Sequence, residues 1–392
     1  MIATNVESKL KPEPMPKEVF LDLIVTRGPC ITIVLPPYRP GELGHPAAAL
    51  LKSHIQEAAK KLASRRIAQP AIEGLLEPLR DLANREESFA GVGRTRILLR
   101  SHGVFHQFEL PVNPEHATQC AVGDCFYVRP MLASLALPPR IYLLEVTKKS
   151  VALLACGLTD VTRVELPKGT PKTIEDALEF DQPDHDLMNR SSAGPSTGGM
   201  QGVQFGTRSD REKQHAHLRD FYRAIDRGIG ELLRGGDAPL ILAGVEEDVA
   251  LYRAVNTYPH VLEQGIPGSL GPAISHPQVV RQSHEIVLFD LERRAALELA
   301  ESKERLAPAR FSSDLNAILR AAVAGRVSDL YLDENAERIG TFDGKAYGGT
   351  TNWHDEDLLN VAAVETLLHG GAVYSLASHQ MAGASAAASF RY

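Results

Sequence analysis

The strongest constraint on the fold lies in the stretch from Gly194 to Arg227, where a segment that cannot be regular structure runs straight into one that can hardly be anything but a helix. Gly194, Gly198, Gly199, Gly202 and Gly206, together with Pro195, remove side-chain packing and permit positive φ, so this stretch reads as an exposed loop. Beyond it, Leu218, Phe221, Tyr222, Ile225, Ile229, Leu232 and Leu233 recur at spacings of three and four, which predicts one buried stripe on a long helix. Arg211, His215, Arg219, Arg223 and Arg227 fall every fourth residue and form a slanted row beside that stripe. From Arg208 to Arg234 there are seven Lys or Arg and five acids, which leaves +2. Such a ridge is either a phosphate-binding face or simply the solvated outside of an amphipathic helix.

Composition decides between broader classes. With 392 residues, 44% of them hydrophobic, the chain is large enough for two or three domains with separate cores. The balance of 42 Lys and Arg against 49 Asp and Glu gives −7, so any RNA contact must come from a local basic patch and not from net charge. The first residues carry mixed charge without an apolar run, unlike a signal peptide. The longest apolar runs, Ile31 to Leu35 and Leu240 to Ala243, are far short of the roughly 20 residues that span a bilayer. A cytoplasmic protein is expected. Cys30, Cys120, Cys125 and Cys156 form no Cys-x-x-Cys pair and read as packing residues; no metal site and no cofactor is expected.

Three domains are expected along the chain. In 1–136, a helix around Lys17 to Val25, a strand Cys30 to Leu35, helices from about Ala47 to Ile67 and Pro70 to Asn84, and a hairpin of Arg96 to Arg100 with Val104 to Leu110 make an α/β domain. In 137–283, three β-type runs, 140–146, 150–155 and 162–166, predict an antiparallel meander. An acidic segment that reads as an exposed loop follows, from Glu175 to Asp186. The glycine loop and its helix come next, then a strand at Leu240 to Ala243 and a helix from Glu246 to Val255. In 284–392, helices over 284–304, 311–324 and 355–368 alternate with strands at Val327 to Leu332, Arg338 to Phe342, Ala372 to Leu376 and 386–392, the pattern of an α/β/α sandwich.

The central stretch resembles the archaeo-eukaryotic class 1 peptide-release factors, whose central domain carries a Gly-Gly-Gln loop followed by a helix rich in Arg, Glu-Lys and His. The corresponding residues are Gly198, Gly199, Gln201, Phe205, Arg208, Glu212, Lys213, His215, Leu218 and Arg219. Val34-Leu35-Pro36 with Arg39-Pro40-Gly41 resembles the opening of a bacterial branch of release-factor-like proteins, and His369 to Tyr374 with Phe390-Arg391-Tyr392 resembles the C-terminal domain of release factors and Pelota. The resemblance implies an RNase-H-like central domain and a C-terminal domain related to kink-turn-RNA-binding ribosomal proteins. It implies Gly198, Gly199 and Gln201 as catalytic residues of peptidyl-tRNA hydrolysis and Arg208, Arg211, Lys213, Arg219, Arg223 and Arg227 as RNA-binding residues. Ribosome or tRNA, with a possible translational GTPase, are the partners it implies.

Two departures from that pattern matter. No Asn-Ile-Lys-Ser occurs, so stop-codon decoding is not supported. Met200 stands between Gly199 and Gln201, which either displaces the glutamine by one residue or puts a side chain where positive φ is needed, at a cost of about 1 kcal/mol or more. Whether the chain is an enzyme is left open by these residues. The expected function is a ribosome- or tRNA-associated factor in rescue, recycling or hibernation. The alternatives are a metal-dependent hydrolase or nuclease on the RNase-H-like domain and a non-catalytic interaction scaffold. The nuclease reading needs carboxylates delivered from separate strands to hold two ions. The Trp353 to Asp357 cluster is explained by capping of the helix that follows it.

Overall fold

A computed structural model describes residues 17–37, 46–85, 94–111, 120–180, 208–270, 276–343, 347–348 and 356–392. The chain is a multi-domain α/β protein that divides into two compact units, one made of Met1–Leu137 with Val287–Tyr392 and the other of Pro138–Ile286. Its elements run α1 (Lys17–Val25), β1 (Cys30–Leu35), α2 (Pro46–Ser64), α3 (Gln69–Asn84), β2 (Arg96–Ser101), β3 (Val104–Glu109), β4 (Cys120–Gly123) and α4 (Leu132–Ala136). The second unit holds β5 (Ile141–Val146), β6 (Val151–Cys156), β7 (Val161–Val164), α5 (Ile174–Phe180), α6 (Arg208–Leu232), β8 (Leu240–Gly244), α7 (Glu246–Arg253) and β9 (Ile266–Pro267). Then come α8 (His276–Arg305), β10 (Phe311–Ser312), α9 (Leu315–Val323), β11 (Val327–Asp333), β12 (Ile339–Phe342), β13 (Tyr347–Gly348), β14 (Glu356–Asp357), α10 (Leu358–Leu368), β15 (Ala372–Leu376) and β16 (Ala386–Phe390).

In the unit formed by the two ends of the chain, one antiparallel sheet has the order β3-β2-β1-β4. The strand β1 is buried along its whole length, because helices α2 and α3 cover one face through Leu51, Leu62, Leu76 and Leu79. The other face joins a second core in which Leu23, Ile97, Leu99 and Phe126 meet Ile318, Leu330, Leu359 and Phe390 from the C-terminal segment. That segment builds its own sheet, β10-β16-β11-β15, in which β11 and β15 run parallel and the remaining pairs are antiparallel. The late part of α8 packs on it through Ala295 and Leu299, next to the buried Tyr331. Between the two sequence halves of this unit stand polar anchors. Asn360 accepts from the amide of Val128 at 2.8 Å and donates to the carbonyl of Phe126 at 3.0 Å. Glu356 accepts from the amide of Asp124 and from Arg65.

The second unit is built on a five-stranded sheet, β7-β6-β5-β8-β9, with an antiparallel meander β5-β6-β7 and parallel pairing of β5 with β8 and β8 with β9. Gly244 ends β8 at φ +158°, and a Cβ there would lie 2.5 Å from the carbonyl oxygen of Val146, so the close approach of β5 and β8 requires glycine.

Several expectations are corrected. The segment from Glu175 is not a loop throughout. Ile174–Phe180 is helical, started by a reciprocal cap in which the Asp176 amide donates to Thr173 Oγ1 at 3.1 Å and the Thr173 amide to Asp176 Oδ2 at 2.9 Å. The helix expected over 284–304 begins eight residues earlier, at His276, with Pro277 in the first turn, where its missing N–H costs nothing. The helix expected from Phe311 is split: Phe311 and Ser312 pair with β16, and Asp314 then caps α9 by accepting from the amide of Ala317 at 3.0 Å. The helix expected from Asp355 starts at Leu358 because Asp357 is its cap. Strand β4 is an addition to the expected elements, since four residues with one glycine carry no alternation to read.

Candidate nucleic-acid interface

Helix α6 runs for 25 residues, and its apolar stripe is the reason it is ordered against the second unit's sheet. Leu218, Phe221, Tyr222, Ile225, Ile229 and Leu233 are all buried in one core with Leu144, Leu153 and Leu242 of the sheet and Tyr252 of α7. Leu232, expected in the stripe, is instead 37% exposed, because it stands one residue off the line of closest approach. Gly228 marks where the helix passes closest to its surroundings: a Cβ there would be 2.4 Å from Thr170 Oγ1.

The basic row keeps its place outside the core. Arg219, Arg223 and Arg227 are exposed and four residues apart, so they climb about 6 Å per step along the helix axis and drift slowly around it. Arg223 donates to Asp220 at 2.9 Å, with both side chains more than half exposed. Neither Arg219 nor Arg227 has an ion-pair partner among the described residues. The sequence count sets Asp226 against the charge of this face, and the structure corrects that expectation. Asp226 is 3% exposed, accepting from the Thr257 amide at 3.1 Å and the Thr257 hydroxyl at 2.6 Å. Asp226 is therefore bonded to Thr257 and is not an ion-pair partner of the exposed row among the described residues.

Near the N-terminal part of the described side chains, α6 meets α7 and the β5–β6 turn in a cluster of mixed charge. His215 Nε2 lies 3.7 Å from Glu247 Oε1, and Lys148 Nζ lies 2.6 Å from Glu247 Oε2. The Lys148 hydrogen bond holds the Glu247 carboxyl below its ordinary range. Asp248 next to it is 3% exposed, burial raises its carboxyl above the ordinary range, and its Oδ1 has no hydrogen-bond partner among the described residues.

Of the residues expected to act, Gly198, Gly199 and Gln201 lie outside the described residues, as do most of the glycine loop and the acidic residues from Asp181 onward. Arg208, Arg211 and Lys213 belong to α6 by their backbone, their side chains being outside the description. Arg219, Arg223 and Arg227 are brought together on one exposed face.

Sequence reasoning missed a different grouping. His54, Glu57 and Cys120 place their ligand-type atoms within 4.8 Å of one another, in the unit formed by the chain ends. The only sequence signal was His54-Ile-Gln-Glu57, an i,i+3 spacing on a helix, which is too common to single out. Among the described residues no helix is long and apolar enough to cross a membrane.

Residues 140–326 match the family described as Bacterial archaeo-eukaryotic release factor family 3. No curated protein matches the sequence. Among solved structures, the chain is similar to an archaeal translation termination factor (12% identity, 96% of each chain, TM-score 0.23). It is also similar to Archaeoglobus fulgidus Pelota (13% identity, 77% of this chain and 80% of that one, TM-score 0.34). A third, a ribosome-bound archaeal Pelota, is 10% identical over 97% of this chain and 95% of that one, with a TM-score of 0.36. The matched residues span the whole meander, the glycine loop, α6 and the β8–α7 unit, and over them, just under half of its length, the chain is similar to the bacterial archaeo-eukaryotic release factors.

Proposed function

We propose that this protein is a ribosome- or tRNA-associated translation factor that acts in rescue, recycling or hibernation of ribosomes and not in stop-codon decoding. The observation that carries the proposal is the family match over residues 140–326, which encloses both the glycine loop and the helix bearing the exposed arginine row. Arg219, Arg223 and Arg227 supply the sequence-independent phosphate contacts of such a factor, for which counterion release is the main source of affinity. In this reading 137–283 is the domain that carries the loop towards the peptidyl-transferase centre, and a translational GTPase is the partner that delivers the protein. Peptidyl-tRNA hydrolysis through Gln201, supported by Gly198 and Gly199, is the finer form of the proposal.

The test is co-sedimentation of the protein with bacterial ribosomes at low and moderate salt, beside the triple variant Arg219→Glu, Arg223→Glu, Arg227→Glu. Binding that weakens with salt and is abolished in the variant supports the reading, and a hydrolysis assay of peptidyl-tRNA with Gln201→Ala then decides its finer form. A wild-type protein that stays in the supernatant at low salt overturns it.

A further inference from the structure

We propose that His54, Glu57 and Cys120 form a binding site for one thiophilic divalent cation, with zinc as the reference case. The two helix residues are one turn apart on α2, and Cys120 opens β4, the edge strand that pairs with β1 through Ile33. The three candidate ligand atoms lie within 4.8 Å of one another. A tetrahedral zinc with bonds of about 2.0–2.3 Å needs ligand atoms roughly 3.5 Å apart, so a contraction of about an ångström assembles the set. An imidazole nitrogen, a carboxylate oxygen and a thiolate sulfur are the donor types zinc prefers, and three protein ligands leave a fourth position for water.

The imidazole of the set is held in a buried setting. His54 is only 6% exposed, and its Nε2 is buried without a hydrogen-bond partner among the described residues. Its Nδ1 lies 3.5 Å from Glu57 Oε2, the separation of two donors on one tetrahedral zinc, so Nδ1 is the ring nitrogen that faces the cluster.

The charges also balance. Cys120 is 1% exposed, and burial pushes its thiol up to about 12, so without metal it is a neutral S–H whose sulfur approaches the His54 carbonyl at 3.5 Å. On binding, the S–H proton passes to solvent and the sulfur–metal bond forms, with no change of oxidation state. Thiolate and carboxylate then neutralise the two positive charges of the metal. Lys61 is the competing charge: its ammonium lies 2.7 Å from Glu57 Oε1 and donates to the Cys120 carbonyl at 2.8 Å. It occupies one carboxylate oxygen and leaves Oε2 towards His54. The bound cation would clip α2 to the edge strand of the sheet.

The experiment is a titration of the chelator-stripped full-length protein with Co²⁺, followed by displacement with Zn²⁺, with folding checked by circular dichroism. One Co²⁺ should bind per chain and give a thiolate-to-cobalt charge-transfer band in the near ultraviolet that vanishes on adding Zn²⁺. The band should be absent from Cys120→Ser and kept in Cys125→Ser. His54→Gln should weaken binding by more than the roughly tenfold effect of removing an outer partner of a ligand. Lys61→Met, which deletes the competing charge, should tighten it. Zn²⁺ should also raise the thermal midpoint of the wild type more than that of His54→Gln. A wild-type protein with no charge-transfer band, or a band that survives in Cys120→Ser, overturns the proposal. These readouts need no ribosome, so failure here and failure of the translational reading are separable.

Discussion

Arg129 and Asp357, 228 positions apart in sequence, meet at 2.7 Å with only 7% of each side chain exposed. The guanidinium also donates to the carbonyls of Ala336 at 2.8 Å and Asp333 at 2.7 Å, and Asp357 Oδ1 accepts from the amides of Arg338 and Leu359 at 3.2 Å. Both members are thus hydrogen-bonded on nearly every available atom, which is the condition under which a buried ion pair holds its place. Arg129→Met leaves a buried carboxylate and two carbonyls without their donor. We expect a destabilisation of about 3–5 kcal/mol, read as a lower urea midpoint. In a cycle with Asp357→Asn the double variant should lose less than the sum of the singles.

The closing turn of α10 predicts two different outcomes for two adjacent glycines. The Gly371 amide donates to the Thr366 carbonyl at 2.9 Å and the Gly370 amide to the Leu367 carbonyl at 3.0 Å, the two bonds of a Schellman end. Gly370 sits at φ +72°, where a Cβ would meet only Arg391 Nη2, at 4.0 Å, so Gly370→Ala should cost only the strain of that conformation, about 1 kcal/mol. Gly371 has no room: a Cβ would lie 2.6 Å from Thr366 Cγ2 and 2.8 Å from the Val327 carbonyl oxygen. Gly371→Ala should therefore destabilise more than Gly370→Ala in thermal denaturation, and equal effects would contradict this account.

How much of the fold is legible in the sequence varies by element for physical reasons. The strand Cys30–Leu35 and the hairpin from Arg96 are written in local patterns, an apolar run and a His102-Gly103 turn with Gly103 at φ +73°, and both form as expected. The start of α9 is not legible, because the pairing of Phe311 with Ser389 that precedes the cap at Asp314 is decided by a strand more than seventy residues later. The burial of Asp226 is hidden for a similar reason, since helical spacing places it near the arginines while only the fold supplies Thr257 to draw it inward. The grouping of His54 and Glu57 with Cys120 joins a helix to an edge strand, and no spacing rule spans that gap. Arg129 likewise carries no signal, being one basic residue beside a proline.

The cysteines give a prediction about chemistry. Burial pushes the thiols of Cys30 and Cys125 up to about 11 and about 12, and it raises those of Cys156 and Cys120 as well. A raised thiol has less reactive thiolate at any given pH, and the effect disappears when the chain unfolds. Native protein at pH 8 should react with a disulfide reagent on the order of a hundredfold more slowly than free cysteine. All four thiols of the chain should react at once in strong denaturant. Cys125 is the one partly exposed cysteine, and its burial-raised thiol should keep it slow as well. A fast-reacting native Cys120 would place it outside the buried setting described.

The arginine row should not act as three equal charges. Arg223 already holds Asp220 at 2.9 Å, so much of its field is neutralised before a phosphate arrives, whereas Arg219 and Arg227 have no ion-pair partner among the described residues. Removing one phosphate-binding cation lowers the slope of log affinity against log salt by about 0.7–0.9. Arg219→Ala and Arg227→Ala should each cost about one such step in ribosome binding, and Arg223→Ala less. Asp220→Ala separates this account from a general charge effect of the surface, because it frees Arg223 and should raise affinity and steepen the slope. With Asp226 turned into the core, Asp226→Asn should leave the slope unchanged and act on stability alone, through its bonds to Thr257. An Asp220→Ala variant that binds no better than wild type, or an Asp226→Asn variant with a steeper slope, would mean that the row does not meet phosphates in the orientation the helix gives it.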